Sequence, residues 1–321
     1  MKRVVVLGGV GLVGSHLCIR LANEGYDVVC IDCRDISSSP LLAPYYHRRE
    51  VRYINHNVVT RFSIDCDQIY NLASPSALRH QGHMSVAALR TNIIGSINAL
   101  DLARRNRASV VYASSSDVYG FYGHTQYDEN ILSGCSITAF AESKRASEAI
   151  HYAYQREYGI SCRVARLFTT YGSGCQMEDG RVVVRMIVAA LRGEDIVIYG
   201  SGEQQRTFCW VGDVADCLMR LMELPAKERL PVVNIGASYE ITIKALAEKI
   251  VMLTGSRSRI VHTEARHNDP RRVVPDLSLA RTRLGWMPTT TLNEGLHQTI
   301  EYLRVAMEER AEMDSLWMGT L

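Results

Sequence analysis

An apolar run ending at Leu7 passes without interruption into Gly8-Gly9-Val10-Gly11-Leu12-Val13-Gly14, and this junction restricts the fold more than any other stretch. A buried strand that turns on glycine and re-enters the core as a helix is the first half of a βαβ unit. Glycines at 8, 11 and 14 serve the tight bend, the approach of backbone to a diphosphate, and helix–strand contact. A helix beginning near Leu12 then points its unpaired N–H groups, with those of Val13, at that diphosphate. Asp32 closes the second apolar run. A carboxylate there accepts the hydroxyls of an adenosine ribose and repels a 2′-phosphate, which predicts NAD over NADP. Arg34 is the nearby cation that would attract a phosphate.

The alternation continues along the first half. Apolar runs at 4–7, 28–31, 68–72, 110–113 and 162–165 read as buried parallel strands, with helical patterns at 13–24, 86–105 and 141–158 between them. This order predicts an α/β fold, a Rossmann-type doubly wound parallel sheet over residues 1–166. Beyond Arg166 the regularity weakens into a helix at 182–191, a strand at 196–199, and helices at 214–223 and 243–253. Residues 167–321 are expected to form a smaller α/β lobe that holds the substrate, with segments crossing back to the main sheet. Residues 307–321 read as a helix end and a frayed tail.

Composition removes several function classes. A net charge of +2 with no Lys/Arg block argues against nucleic-acid binding. The chain has no run of 18 apolar residues, and its first strand follows Met1 too closely for a signal peptide, so a cytoplasmic protein without membrane association is expected. The nine cysteines are scattered, and Cys30 with Cys33 is a lone CxxC, so they read as ordinary thiols. The ten histidines form no HxH or HxxxH pair, so no metal is expected. Ser114 to Ser116 lacks the GxSxG frame of a nucleophile elbow.

More specific segments lie between these landmarks. They are Tyr53-Ile-Asn-His-Asn-Val-Val59, Gln68-Ile-Tyr-Asn-Leu-Ala-Ser-Pro75, Thr91-Asn-Ile-Ile-Gly95 and Ser114-Ser-Ser-Asp-Val-Tyr-Gly120. Asp179-Gly-Arg-Val-Val183, Val197-Ile-Tyr-Gly-Ser-Gly202 and Asn268-Asp-Pro-Arg-Arg272 follow. With the glycine turn, they make the chain resemble the extended short-chain dehydrogenase/reductases that act on nucleotide sugars. The resemblance is greatest to the UDP-glucuronic acid decarboxylase (UDP-xylose synthase) branch, from Val4 to about Tyr302.

The resemblance implies a set of roles. Asn57 stands where the family has an aspartate at adenine; Leu72, Ala73 and Ser74 line the middle of NAD, and Asn92 joins the cofactor set. On the substrate side, Tyr199 lies near uracil, Arg206 and Arg272 clamp the diphosphate of a UDP-sugar, and Thr169, Arg185 and Gln204 complete the contacts. Two arginines suit that task because their charge persists near neutral pH. A homodimer through the helices at 86–105 and 141–158 is also implied, with Tyr152, Tyr154 and Tyr158 as packing residues.

The catalytic set has a gap. Family members use a Ser or Thr with a YxxxK pair on one helix face. The lysine holds the nicotinamide ribose and lowers the tyrosine pKa, and the tyrosinate takes the hydroxyl proton as hydride leaves. This chain reads Phe140-Ala-Glu-Ser-Lys144, with Ser115 as the serine. A phenyl ring keeps the packing but moves no proton, a loss of about 10² to 10⁴ in rate. Phe140 admits three readings: an introduced Tyr→Phe change, a different base with Asp117 first in line, or binding without turnover.

Further departures favour divergent chemistry. Arg166-Leu-Phe-Thr-Thr-Tyr-Gly-Ser173 carries Thr169 where the family has an asparagine at the nucleotide sugar. Val273 replaces an arginine implicated near the substrate carboxylate, a place that Arg271, Arg272 or Arg185 would have to fill. The leading expectation is NAD-dependent decarboxylation of UDP-glucuronate through a 4-keto sugar. A 4-epimerase, a 4,6-dehydratase and a catalytically silent binding protein are the alternatives.

Overall fold

The computed structural model describes residues 1–75, 85–120, 126–131, 138–228, 230, 232–265 and 269–318, with side chains to 312. Cys135, Asn268 and the tail at 319–321 lie outside the described residues.

The first half runs β1 (Arg3–Leu7), α1 (Leu12–Asn23), β2 (Asp27–Asp32), α2 (Ala43–His47), β3 (Val51–Asn55) and β4 (Gln68–Asn71). It continues with α3 (Ser85–Leu89), α4 (Gly95–Asn106), β5 (Ser109–Ser115), α5 (Ala139–Tyr158) and β6 (Cys162–Leu167). Then come β7 (Thr170–Tyr171), α6 (Val182–Arg192), β8 (Ile196–Tyr199), β9 (Gln205–Thr207), β10 (Cys209–Trp210), α7 (Val211–Glu223) and β11 (Val233–Ile235). The chain closes with β12 (Glu240–Thr242), α8 (Ile243–Thr254), β13 (Ile260–Thr263), β14 (Arg272–Val273), α9 (Ser278–Leu284) and α10 (Leu292–Met318).

Seven strands form the expected parallel sheet in the order β11-β6-β5-β4-β1-β2-β3. Alternate residues of β1 feed opposite layers: Val4 and Val6 pack with Leu17, Leu21, Val214 and Leu218 of α1 and α7. Val5 and Leu7 pack on the other side with Leu100 and Ala103 of α4. A period of two with both faces covered is what makes such a strand read as an unbroken apolar run. Chain order reverses between β1 and β4, and this reversal opens a crevice at their carboxyl ends.

The second half returns to the sheet: β11 pairs with β6, and α7 packs on α1. Smaller sheets, β12-β9-β14 and β13-β8, stand beside an apolar cluster built from α6, α8 and α10. Three sequence expectations change. The helix expected at 86–105 is broken into α3, a π turn at Arg90–Ile94, and α4. The helix expected from 214 begins at Val211, and α10 continues to Met318 where a helix end was expected near 307. No helix among the described residues is long and apolar enough to cross a membrane. Cys30 is buried and Cys33 exposed, and no metal-binding group of His, Cys, Asp and Glu occurs among the described residues.

Candidate active site

The glycine turn sits at the switch point. Gly8 takes φ +79°, and a Cβ on it would lie 2.8 Å from the Ala73 backbone, so Leu72 and Ala73 pass directly against it. Gly11 caps α1 without a side-chain hydrogen bond, and Ser15 N donates to Gly11 O at 2.8 Å. The N–H groups of Leu12 and Val13 are therefore left for a diphosphate. Gly14 packs on the Gly8 carbonyl, where a side chain has no room. This cradle, which any Cβ would fill, fits a dinucleotide.

Asp32 is buried at its rim, its Oδ2 accepting from Val10 N and its Oδ1 from Arg34 N, both at 3.0 Å. Asn57 Oδ1 accepts from Val59 N at 3.0 Å. Ser74 follows Ala73 along the crevice, its Oγ 3.4 Å from Pro75 O. Asn92 is buried in the π turn, its side-chain Nδ2 donating to Ser143 Oγ at 2.8 Å and its backbone carbonyl accepting from Ser147 Oγ at 2.8 Å. Asn92 thus braces α5.

The residues expected to be catalytic meet where β5 ends. Ser115 Oγ accepts from Asp117 N at 3.2 Å, closing a 3₁₀ turn over Ser116–Tyr119. Asp117 is exposed, and the protein packed around it raises its carboxyl, opposed by Ser115 and the charge of Lys144. Thr138 caps α5 by accepting from Ala141 N at 3.2 Å, which sets Phe140 and Lys144 one turn apart. Lys144 is 4% exposed and donates to Ala113 O at 2.8 Å. Its Nζ lies 5.0 Å from the Tyr112 ring centre and 5.7 Å from that of Phe140. Burial lowers its ammonium to about 7, against the charges of Glu148 and Asp117.

Among the described residues, Tyr112 and Tyr119 offer no replacement base. Burial pushes the Tyr119 hydroxyl up to about 12 and the Tyr112 hydroxyl higher still. Tyr119 instead donates to Asn234 Oδ1 at 2.7 Å. Sequence reasoning missed the support beneath Lys144. One turn further along α5, Glu148 accepts from Arg166 at 3.0 and 2.8 Å and from Ser114 Oγ at 2.6 Å. Arg166 stacks 4.5 Å over the Tyr119 ring. The i,i+4 spacing of Lys144 and Glu148 was the available signal.

On the substrate side, Arg185 lies 4.9 Å over the Tyr199 ring, and Gln204 donates to Tyr199 O at 3.0 Å and to Asp269 at 3.2 Å. Arg206 pairs with Asp269 and lies beside Tyr127. Tyr127 packs against Tyr119, 5.4 Å between ring centres, and this connects Arg206 to the 3₁₀ turn over Ser116–Tyr119. Thr169 is half-buried just before β7.

Strand register separates the two arginines of the expected clamp. β14 lies parallel to β9 with Arg272 opposite Gln205 and Val273 opposite Arg206. Directly opposed residues share a sheet face and successive ones alternate, so Arg206 and Arg272 point to opposite faces. Arg272 pairs with Glu240 on its own side. Val273, in the arginine's place, shares the Arg206 face and packs on the cluster of Tyr119, Tyr127 and Phe168.

Known proteins with this sequence pattern and fold are numerous. Residues 4–236 match the NAD dependent epimerase/dehydratase family. The chain is 38% identical to UDP-glucuronic acid decarboxylase 1 of Xenopus tropicalis over 97% of this chain and 74% of that protein. It is 36% identical to UDP-glucuronic acid decarboxylase 6 of Arabidopsis thaliana over 95% of this chain and 90% of that protein. Among solved structures, MoeE5 in complex with UDP-glucuronic acid and NAD superposes with a TM-score of 0.80 at 28% identity, over 95% of this chain and 99% of that one. A UDP-glucuronic acid 4-epimerase from Bacillus cereus shares the fold, with a TM-score of 0.83 at 23% identity over 95% and 99% of the two chains.

Proposed function

The chain belongs to the NAD dependent epimerase/dehydratase family, and from that premise we propose that it decarboxylates UDP-glucuronate through a 4-keto sugar. The Ser115–Asp117–Lys144 cluster beside the glycine cradle is the observation that carries this reading. NAD, when bound by Gly8, Gly11, Gly14 and Asp32, supplies the acceptor for the C4 hydride. Ser115 Oγ hydrogen-bonds the C4 oxygen and passes its proton to Asp117, whose carboxyl is raised by the protein around it and so holds a proton better than an ordinary aspartate. Lys144 orients the nicotinamide ribose. With C4 a ketone, the C6 carboxylate is that of a β-keto acid: the C5–C6 bond breaks, carbon dioxide leaves, and the electron pair stays as an enolate. Water supplies the proton that C5 of the enolate takes up, and protonated Asp117 returns its own proton through Ser115 to the C4 oxygen as hydride comes back to C4.

Carbon dioxide release from UDP-glucuronate with saturating NAD tests the reaction. Its absence sinks decarboxylation, and the sugar product then separates epimerisation from dehydration. Phe140 supports the second reading, a silent protein that binds NAD and UDP-sugar. Phe140→Tyr distinguishes them. With Asp117 as base the gain in C4 oxidation stays below about tenfold, while a gain of about 10² or more marks the missing hydroxyl as the limit. A silent protein gains nothing and shows no turnover at the start. A cytoplasmic homodimer completes the proposal, supported by exposed Val86 and Ile94 before α4 and exposed Tyr152 and Tyr158 on α5. Light scattering that returns a monomer overturns the dimer.

A further inference from the structure

We propose that the ribose end of the cofactor site takes NADP as well as NAD, with the Arg34 guanidinium holding the 2′-phosphate. The inference rests on the dinucleotide site and concerns the residues that meet the 2′ position.

A carboxylate at the end of the second strand excludes NADP when it stands forward and unopposed. Asp32 does neither. Its two oxygens accept from the N–H groups of Val10 and Arg34, and its side chain is only 7% exposed. The Arg34 side chain is 37% exposed, with Nε 3.6 Å from Asp32 Oδ1. One guanidinium nitrogen comes within 3.7 Å of where a Cβ on Gly11 would stand. The guanidinium thus spans the rim from the end of β2 to the glycine turn, in front of the recessed carboxylate.

The backbone beneath Arg34 is held in place. Tyr53 OH donates to Arg34 O at 2.7 Å, and Asn55 Nδ2 donates to that hydroxyl at 2.9 Å. The other acid in the loop, Asp35, turns into its own 3₁₀ turn and accepts from Ser37 N at 2.9 Å. An incoming 2′-phosphate therefore meets a planar cation before it meets Asp32. Guanidinium–phosphate hydrogen bonds are charge-assisted and bidentate, and strong enough to offset the recessed carboxylate. NAD keeps its own contacts, because each Asp32 oxygen retains a lone pair for a ribose hydroxyl.

Calorimetric titration of the full-length protein, stripped of copurified nucleotide, with NAD and with NADP tests this. The Kd for NADP should fall within about thirtyfold of that for NAD. Arg34→Ala should weaken NADP by about tenfold or more and NAD by less than about threefold, NAD binding serving as the check on folding. An NADP Kd beyond that range, or equal losses of both nucleotides in the variant, overturns the proposal. Failure of the unmodified protein to bind NAD brings down the cofactor site itself, and this inference with it.

Discussion

The glycine turn after β1 and the first turn of α5 face the same crevice but are built differently. The glycine turn recognises its ligand with backbone: Gly8 in the left-handed region, free N–H groups at the start of α1, and no room for side chains. The α5 turn works through side chains, with Lys144 placed by Ala113 O and by the rings of Tyr112 and Phe140. A backbone site fails as a unit when a Cβ intrudes. A side-chain site can lose one group and keep its frame, which is how a phenylalanine can stand beside an intact lysine.

The largest effect should come from breaking the side-chain region at its remaining acid. Asp117→Asn is expected to lower turnover by about 10² to 10⁴ with NAD affinity unchanged. Equal turnover in single-turnover absorbance measurements would remove Asp117 from proton transfer. Next is the support beneath Lys144. Glu148→Gln leaves Arg166 buried without its carboxylate, and a broken buried pair costs about 3–5 kcal/mol. Urea denaturation should register that loss, and a loss below about 1 kcal/mol would mean that water already shares the pair.

The same contrast explains what could be read before folding. Strands at 4–7 and 110–113 were legible because both their faces are covered. β3 escaped because it is an edge strand, with only Val51 fully buried, and β11 because it has three residues. The π turn at Arg90–Ile94 interrupts an apolar periodicity that nothing at those positions visibly breaks. Arg206 and Arg272 were recognisable as arginines in motifs, but which face each takes depends on how β14 registers against β9. Glycine patterns report a backbone directly. Side-chain sites depend on pairings between distant strands.

The register predicts a smaller effect with a sharp contrast. Arg206→Ala should weaken UDP binding by about 10- to 100-fold, and Arg272→Ala by less than about threefold. Equal losses by calorimetry would place both arginines at the diphosphate and contradict the separation of the two faces.

The smallest effect is a slope in pH. Lys144 is lowered to about 7 in the folded protein from 10.5, chiefly by burial, so the unfolded chain binds its proton more tightly. Between pH 7 and 10 the unfolded state therefore carries more of that proton, and stability rises with pH. One proton contributes at most about 1.4 kcal/mol per pH unit, least near the folded pKa where the native lysine is still partly charged. Lys144→Met should remove this rise from urea-derived stabilities of the ligand-free protein, leaving a flatter profile. An unchanged slope would mean that Lys144 stays protonated in its buried place, paired more strongly with Asp117 and Glu148 than burial opposes. The Phe140 ring would then face a fixed cation, and Asp117 would be the group in the cleft that titrates.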